Sequence, residues 1–398
     1  MTDTMPATGR RILFLTGTRA DYGKIEPVAR ACQQAGFEIS FFITGMHMLG
    51  ASGMPKLEVR RFANASFHEF VNQKAGDPHD LVLSKTILGL SDWLREHPQD
   101  LVFIHGDRIE ALAGALVCAT NCIRSAHIEG GEVSGTIDEV YRHCCTKLCT
   151  HHFVSSEAAA RRIVSLGEPP DSVHVAGSPE LDTHARHAGI SIDEVRAYYE
   201  IPFADYGVAI FHPVTSEAAT MGHQADGLFS ALEASGKPFV VILPNNDPGS
   251  QAIVERIERL PRQRFRVLRS MRFSYFSRLL RDAAVLVGNS SAGVREAPFL
   301  GVPSLDLGTR QHKRAQSGSI THASAEDGAA ITDFLARRWG RRFTPDLSFG
   351  DGDAARQIVD VLTDKRFWRT PLQKAFHDAG PQDTGAVGMP TARKAKLG

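Results

Sequence analysis

Residues 101–131 read LVFIHGD (101–107), RIEALAGALVCATN (108–121) and, after Cys122-Ile123, RSAHIEGG (124–131). The outer two runs are short, apolar and closed by glycine, the form of a strand buried on both faces. Between them lies a helix-length stretch rich in small residues. Apolar strands alternating with helices predict a parallel sheet covered on both sides.

The same grammar extends in both directions. Upstream, RILFLTG (11–17) and EISFFITG (38–45) read as strands around the amphipathic KIEPVARACQQAG (24–36), which closes on glycine. Downstream, YGVAIFHP (206–213), KPFVVILPNND (237–247), AAVLVGNSS (283–291) and VPSLDLG (302–308) are strands running into polar loops. The chain is therefore read as α/β with two Rossmann-like domains. The first is expected over 1–178, ending near Gly177-Ser178-Pro179, and the second over 179–368, starting before the helix-like SIDEVRAYYE (191–200). Residues 353–364 and 371–378 read as short closing helices, the last domain-closing piece spanning 369–379. Residues 380–398, a mixture of Gly, Pro, Lys and Arg, read as a disordered tail.

Composition agrees and narrows the function. A chain of 398 residues has room for two domains. Lys+Arg 45 against Asp+Glu 45 leaves no net charge, which argues against nucleic-acid or membrane-surface binding but leaves room for one positive pocket. No apolar run approaches the ~18 residues of a membrane helix, and MTDTMPATGRR has no apolar core of a secretion signal. Six cysteines make no disulfide framework, so a cytoplasmic, reducing location is expected.

In parallel α/β sheets ligands bind beyond the carboxyl ends of the strands, so the loops there carry the chemistry. Gly17-Thr18-Arg19-Ala20-Asp21-Tyr22-Gly23-Lys24 lacks dinucleotide-motif spacing, yet sets Arg19 and Lys24 beside a helix start, where N–H groups attract anions. The alternative is a surface turn with an Arg–Asp pair. Gly288-Asn289-Ser290-Ser291-Ala292-Gly293-Val294-Arg295-Glu296 puts small and hydroxyl residues where a strand turns into a helix, suiting a diphosphate, with Glu296 placed for ribose hydroxyls; the alternative is a Ser-capped helix. His127 to Glu139 packs four carboxylates around three glycines. With Asp107 it offers carboxylates whose proton affinities can be driven apart, or else a helix-capping loop with solvated acids. His212, in Phe211-His212-Pro213, reads as a phosphate donor or acid, or as structural. Cys118, Cys122, Cys144, Cys145 and Cys149, with His151 and His152, match no zinc spacing and read as buried free thiols, so no metal is expected.

With these stretches in place the chain closely resembles the hydrolysing UDP-N-acetylglucosamine 2-epimerases of sialic acid biosynthesis, from about Arg11 to about Asp378. The likeness rests on TGTRADYGK, TGMH, HGDRIEALA, HIEGGEVSGTIDE followed by Arg142-His143, FHPVT, PNNDPGS, VGNSSAGVREA and LGTRQ. It implies a GT-B fold with the nucleotide sugar UDP-GlcNAc in the interdomain cleft, no metal, no cofactor, and a homodimer or homotetramer. It implies elimination of UDP across C1–C2 to 2-acetamidoglucal, then addition of water to give N-acetylmannosamine. By the same resemblance, Arg19, His212, Ser290 and Ser291 hold the diphosphate and Glu296 the ribose. Asp107, Glu129 and Asp138 surround the sugar as acid/base candidates with Lys24 and Arg108 nearby, and Asn245, Asp247 and Arg310 complete the ligand shell. Relatives acting on UDP-N,N′-diacetylbacillosamine carry nearly the same motifs, and a non-hydrolysing branch shares the fold; HIEGGEVSGTIDE favours the hydrolysing form. GT-B glycosyltransferases are the alternative of another class, against which the carboxylate cluster weighs.

Overall fold

The structure, a computed structural model, describes residues 9–49, 56–74, 76–186, 189–245, 247–311 and 313–378. Among them the first sheet contains β1 (Arg11–Thr16), β2 (Glu38–Ile43), β3 (Ser66–Glu69), β4 (Leu101–His105), β5 (Ser125–Ile128), β6 (His151–Val154) and β7 (Val173–Val175), in the order β3-β2-β1-β4-β5-β6-β7. The second contains β8 (Gly207–Ile210), β9 (Phe239–Ile242), β10 (Phe265–Leu268), β11 (Leu286–Gly288), β12 (Ser304–Leu307) and β13 (Ile320–Ala323), in the order β10-β9-β8-β11-β12-β13. Every pairing is parallel. Two Rossmann-like sheets facing a cleft are the GT-B fold expected from the sequence.

The strand period of two distributes side chains to opposite faces. Ile12 and Phe14 of β1 join Ile39, Phe41 and Phe103 in one core, while Leu13 and Leu15 join Phe42, Val102 and Ile104 in the other. Phe14 and Phe103 stack with centroids 4.9 Å apart, which locks the β1–β4 seam. The second sheet divides likewise, Ala209, Val241 and Val287 to one side and Val208, Val240 and Leu286 to the other. Its central seam depends on Gly288. There φ is +138°, and an added Cβ would lie 1.9 Å from the Ile210 carbonyl oxygen.

The chain crosses between the sheets at Gly177-Ser178 and again near Gly350. The crossings touch: the Ser178 N–H donates to the Phe349 carbonyl at 2.7 Å, and a Cβ on Gly350 would meet the Gly177 Cα at 2.9 Å. The helix Ala354–Thr363, expected from the sequence, then packs Ala355, Ile358 and Leu362 into the core of the first sheet, although the sequence reading grouped these residues with the second domain. Its start is capped by Asp182, whose two carboxylate oxygens accept from Ala354 N and Ala355 N at 2.8 Å.

Two expectations need correction. Residues 371–378 are not a helix. Pro371 supplies no N–H, and the segment is fixed by individual contacts, as where Lys374 Nζ donates to the Lys147 carbonyl at 2.8 Å. Cys122 is exposed, because the helix Ile109–Thr120 has ended and Cys122 sits in the following turn at φ +52°; Cys118, Cys145 and Cys149 are buried free thiols. The expected tail 380–398 lies outside the described residues. Among those described, no helix is long and apolar enough to cross a membrane.

Candidate active site

Each sheet reverses its strand order once, between β1 and β4 and between β8 and β11. Ligands of open α/β sheets collect at such points. The loops following these four strands all line one cavity of about 350 Å³ between the sheets.

From the first sheet, Thr18 caps the helix Arg19–Gln34 through a reciprocal pair: its hydroxyl accepts from Asp21 N at 3.1 Å, and the Asp21 carboxylate accepts from Thr18 N at 2.9 Å. This fixes Arg19 in the first turn and Lys24 one turn on. Arg19 Nε lies 2.8 Å from Glu58, while its Nη1 donates to the Ser270 hydroxyl of the opposite sheet. Asp107 and Arg108 follow β4. Asp107 pairs with Arg142, which stands one turn after Asp138 on the helix Asp138–Leu148. Glu129 follows β5 at φ +71°, with His105 Nε2 at 3.2 Å and Lys24 Nζ at 3.6 Å from Oε2. His127 is structural: its imidazole is pinned between the Gly106 carbonyl at 2.8 Å and the Thr146 hydroxyl at 3.2 Å.

From the second sheet, Asn289 clips the loops after β8 and β11 together, accepting from His212 N at 2.7 Å and donating to the His212 carbonyl at 2.8 Å. His212 Nδ1 accepts from Asn245 N at 3.1 Å. Burial, with Arg310 and Arg108 nearby, lowers the His212 pKa to about 3, so the ring is neutral and its proton sits on Nε2 as a donor. Ser290 and Ser291 line the cavity with Glu296. The two sheets meet where Gly135 N donates to the Arg310 carbonyl at 3.2 Å; an added Cβ on Gly135 would lie 2.0 Å from the Thr309 carbonyl oxygen.

Charge separates the carboxylates into two kinds. Burial pushes the Glu129 carboxyl up, but Arg295, Lys24 and Arg314 outweigh it and hold it well below the usual range. Burial likewise raises Asp107, and Arg142 reverses this. Asp138 goes the other way: burial and the Asp107 charge raise it, against Arg310 and Arg108. Glu296 is also raised, by burial and the Glu180 charge. Ionised proton acceptors therefore share one cavity with a carboxyl biased toward its protonated form, the arrangement needed for acid–base work.

The structure gathers every residue given a catalytic or binding role from the sequence around this cavity except Asp247, which stands behind Asn245 and accepts from its amide. Asp247 supports a lining residue and does not itself line the cavity. Sequence reasoning missed Glu180 and Arg314, and it did not foresee the buried parts played by Glu132, Arg142 and Arg295. Arg142 is legible in the sequence, since residues i and i+4 share a helix face and Arg142 follows the acid/base candidate Asp138 at that spacing. Among the described residues no cluster of His, Cys, Asp or Glu is arranged to hold a metal ion.

Residues 30–363 match the sequence profile of the family described as UDP-N-acetylglucosamine 2-epimerase. The chain is 41% identical over 374 residues to the UDP-N-acetylglucosamine 2-epimerase of Neisseria meningitidis serogroup B, covering 93% of this chain and 99% of that one. It is 28% identical over 359 residues to the UDP-N,N′-diacetylbacillosamine 2-epimerase (hydrolyzing) of Legionella pneumophila, covering 89% and 95%. The crystal structure of a Neisseria meningitidis UDP-GlcNAc 2-epimerase bound to UDP-GlcNAc superposes with a TM-score of 0.75 at 19% identity, over 88% of this chain and 99% of that one.

Proposed function

The chain belongs to the UDP-N-acetylglucosamine 2-epimerase family, and from that premise we propose that it converts UDP-N-acetylglucosamine and water to N-acetylmannosamine and UDP. The observation that carries this reading is the divided carboxylate set, Glu129 and Asp107 held ionised and Asp138 raised, facing a loop of small and hydroxyl residues across one cavity.

An ionised carboxylate, Glu129 or Asp107, takes the C2 proton. The C1–O bond breaks, its electron pair leaves with UDP, and 2-acetamidoglucal remains. The departing diphosphate gathers negative charge, which Arg19, the neutral His212 Nε2–H and the Ser290 and Ser291 hydroxyls are placed to meet. Water then adds across the double bond: its hydroxyl goes to C1 and its remaining proton to solvent, while Asp138 delivers a proton to the other face of C2 and is reprotonated from solvent, as the carboxylate that took the first proton returns it there. The hydrolysing outcome is supported by the HIEGGEVSGTIDE form of the carboxylate loop and by the Legionella relative. That relative also supports a second reading, with UDP-N,N′-diacetylbacillosamine as substrate.

Incubation with each sugar nucleotide alone in D₂O, followed by proton NMR, tests the proposal. Free N-acetylmannosamine carrying deuterium at C2, together with UDP, is the expected result. Intact UDP-N-acetylmannosamine would assign the non-hydrolysing reaction. Turnover of the diacetylated sugar nucleotide alone would assign the second reading.

Arg19→Ala is expected to weaken UDP binding. A charge-assisted phosphate contact is worth about 2–3 kcal/mol. In the free protein, however, Arg19 is already paired with Glu58, and the phosphate must displace that partner. The dissociation constant measured by calorimetry should therefore rise about 10–100-fold. Unchanged affinity would remove Arg19 from the diphosphate site.

A further inference from the structure

Arg295 leaves the loop after β11 and plunges into the first sheet's half of the cleft, where its side chain is fully buried. Its Nη2 lies 2.6 Å from Glu129 Oε1 and also pairs with Glu132. Its Nη1 is fixed from behind, 2.5 Å from Glu180 Oε1 and 3.2 Å from the Ser178 hydroxyl. One planar fork thus ties Glu129 to the point where the chain crosses between sheets. Glu132 is in turn held by the Ser155 hydroxyl at 2.6 Å and by Arg314 Nη2 at 2.8 Å. Arg295 and Glu180 are fully buried and do not line the cavity, whereas Glu129 and Arg314 do.

We propose that Arg295 is a positioning residue for Glu129, fixing the aim of that carboxylate toward the sugar and joining it rigidly to the loop that bears Ser290 and Ser291. The proposal rests on the reading of Glu129 as an acid/base group. Its basis is geometric. Glu129 stands in left-handed backbone on a loop next to two glycines, a poor support by itself; of the groups that hold its carboxylate, Arg295 is the one that is itself anchored from behind, by Glu180 and Ser178. Because Arg295 is four residues past Ser291, a diphosphate seated on that loop and the carboxylate beside the sugar are registered to each other through one short turn. A misplacement of about 1 Å at such a site is worth on the order of 10²-fold in rate.

The cations facing Glu129 are Arg295, Arg314 and Lys24, with the His105 imidazole 3.2 Å from Oε2, and Asp107, Glu132 and Glu180 are the nearby acids. Lys24 and Arg314 remain when Arg295 is replaced, so Glu129 stays ionised near neutral pH but less firmly.

Two variants separate aim from charge. Arg295→Lys keeps the charge but has no fork, and its single ammonium cannot hold Glu129 and Glu180 together. It should lose about 10²-fold in kcat with UDP affinity, by calorimetry, within about threefold and the acid limb of the kcat/KM profile nearly unmoved. Arg295→Met removes the charge as well. A carboxylate that loses a cation partner gains proton affinity, and a base works only when ionised, so the acid limb should move upward by about one pH unit or more. If either variant fails to fold by circular dichroism, Glu180→Gln, which releases the back of the fork, should show the kcat loss at unchanged UDP affinity. Turnover of Arg295→Lys or Glu180→Gln within about threefold of wild type would overturn the proposal, as would an unmoved acid limb in a folded Arg295→Met. A wild-type protein that binds UDP but turns over neither sugar nucleotide would overturn the proposed function instead.

Discussion

Glu129→Gln is expected to reduce turnover by about 10²–10⁴-fold, the usual contribution of a general acid–base group, while UDP affinity stays within a few-fold. The amide keeps the size of the carboxylate but cannot take a proton at neutral pH. It also replaces one carboxylate oxygen by an NH2 donor among cations, and removes the negative charge that Arg295 and Arg314 share with Glu132. Melting temperature should therefore fall too, and the rate must be read well below it. Asp107→Asn should lose comparable turnover, its partner Arg142 being fully buried. Asp138→Asn discriminates within the set. If Asp138 delivers the proton to C2, its amide loses turnover as well; if it only orients neighbours, the loss is milder. Steady-state kinetics with UDP calorimetry on the same preparations decides the matter, and near-wild-type turnover in both Glu129→Gln and Asp107→Asn would end the acid–base assignment.

Gly288→Ala is expected to cost about 3 kcal/mol or more of stability, from left-handed strain and overpacking combined. Against the ~5–15 kcal/mol that holds a typical protein folded, that is a large share of the whole margin. The added Cβ would sit 1.9 Å from the Ile210 carbonyl oxygen and 2.6 Å from its carbon. Both are backbone atoms of the facing strand, so no rotamer change relieves the clash. Residues 288 and 210 are directly paired, and the strain falls at the carboxyl ends of β8 and β11, beside the cavity. Denaturant unfolding should show an earlier midpoint, and a loss under about 1 kcal/mol would mean that the seam is looser than described. UDP binding should weaken alongside, because Asn289, Ser290 and Ser291 follow at once.

The sequence announced the central strands because they are buried on both faces and therefore continuously apolar. It did not announce β3, β7, β10 and β13. These are sheet edges, half-buried, with SFHE and ITHA too polar to stand out. β6 is fully buried yet reads HHFV: His151 hides by stacking on Phe367 at 3.9 Å between centroids, and His152 by lying 3.3 Å from Glu168. The loops after the strands were legible because chain topology puts ligands there. The cation cluster was not, since Arg295 and Glu180 are 115 residues apart, and Arg314 and Glu129 are 185. No local pattern encodes a partner at that distance; only the closing of one sheet on the other creates it.

The touching glycines at the two crossings have a consequence for how the chain is made. The second sheet is carried as an insertion whose ends meet at Gly177 and Gly350, and the first sheet is finished only by what comes after it. Ile25, Val28 and Phe41 share their core with Ile358, Leu362 and Phe367. During vectorial synthesis the earliest-made sheet therefore waits, part of its apolar surface uncovered, until nearly the whole polypeptide has left the ribosome. A fragment stopped at 178 would carry that bare surface permanently and be prone to aggregate.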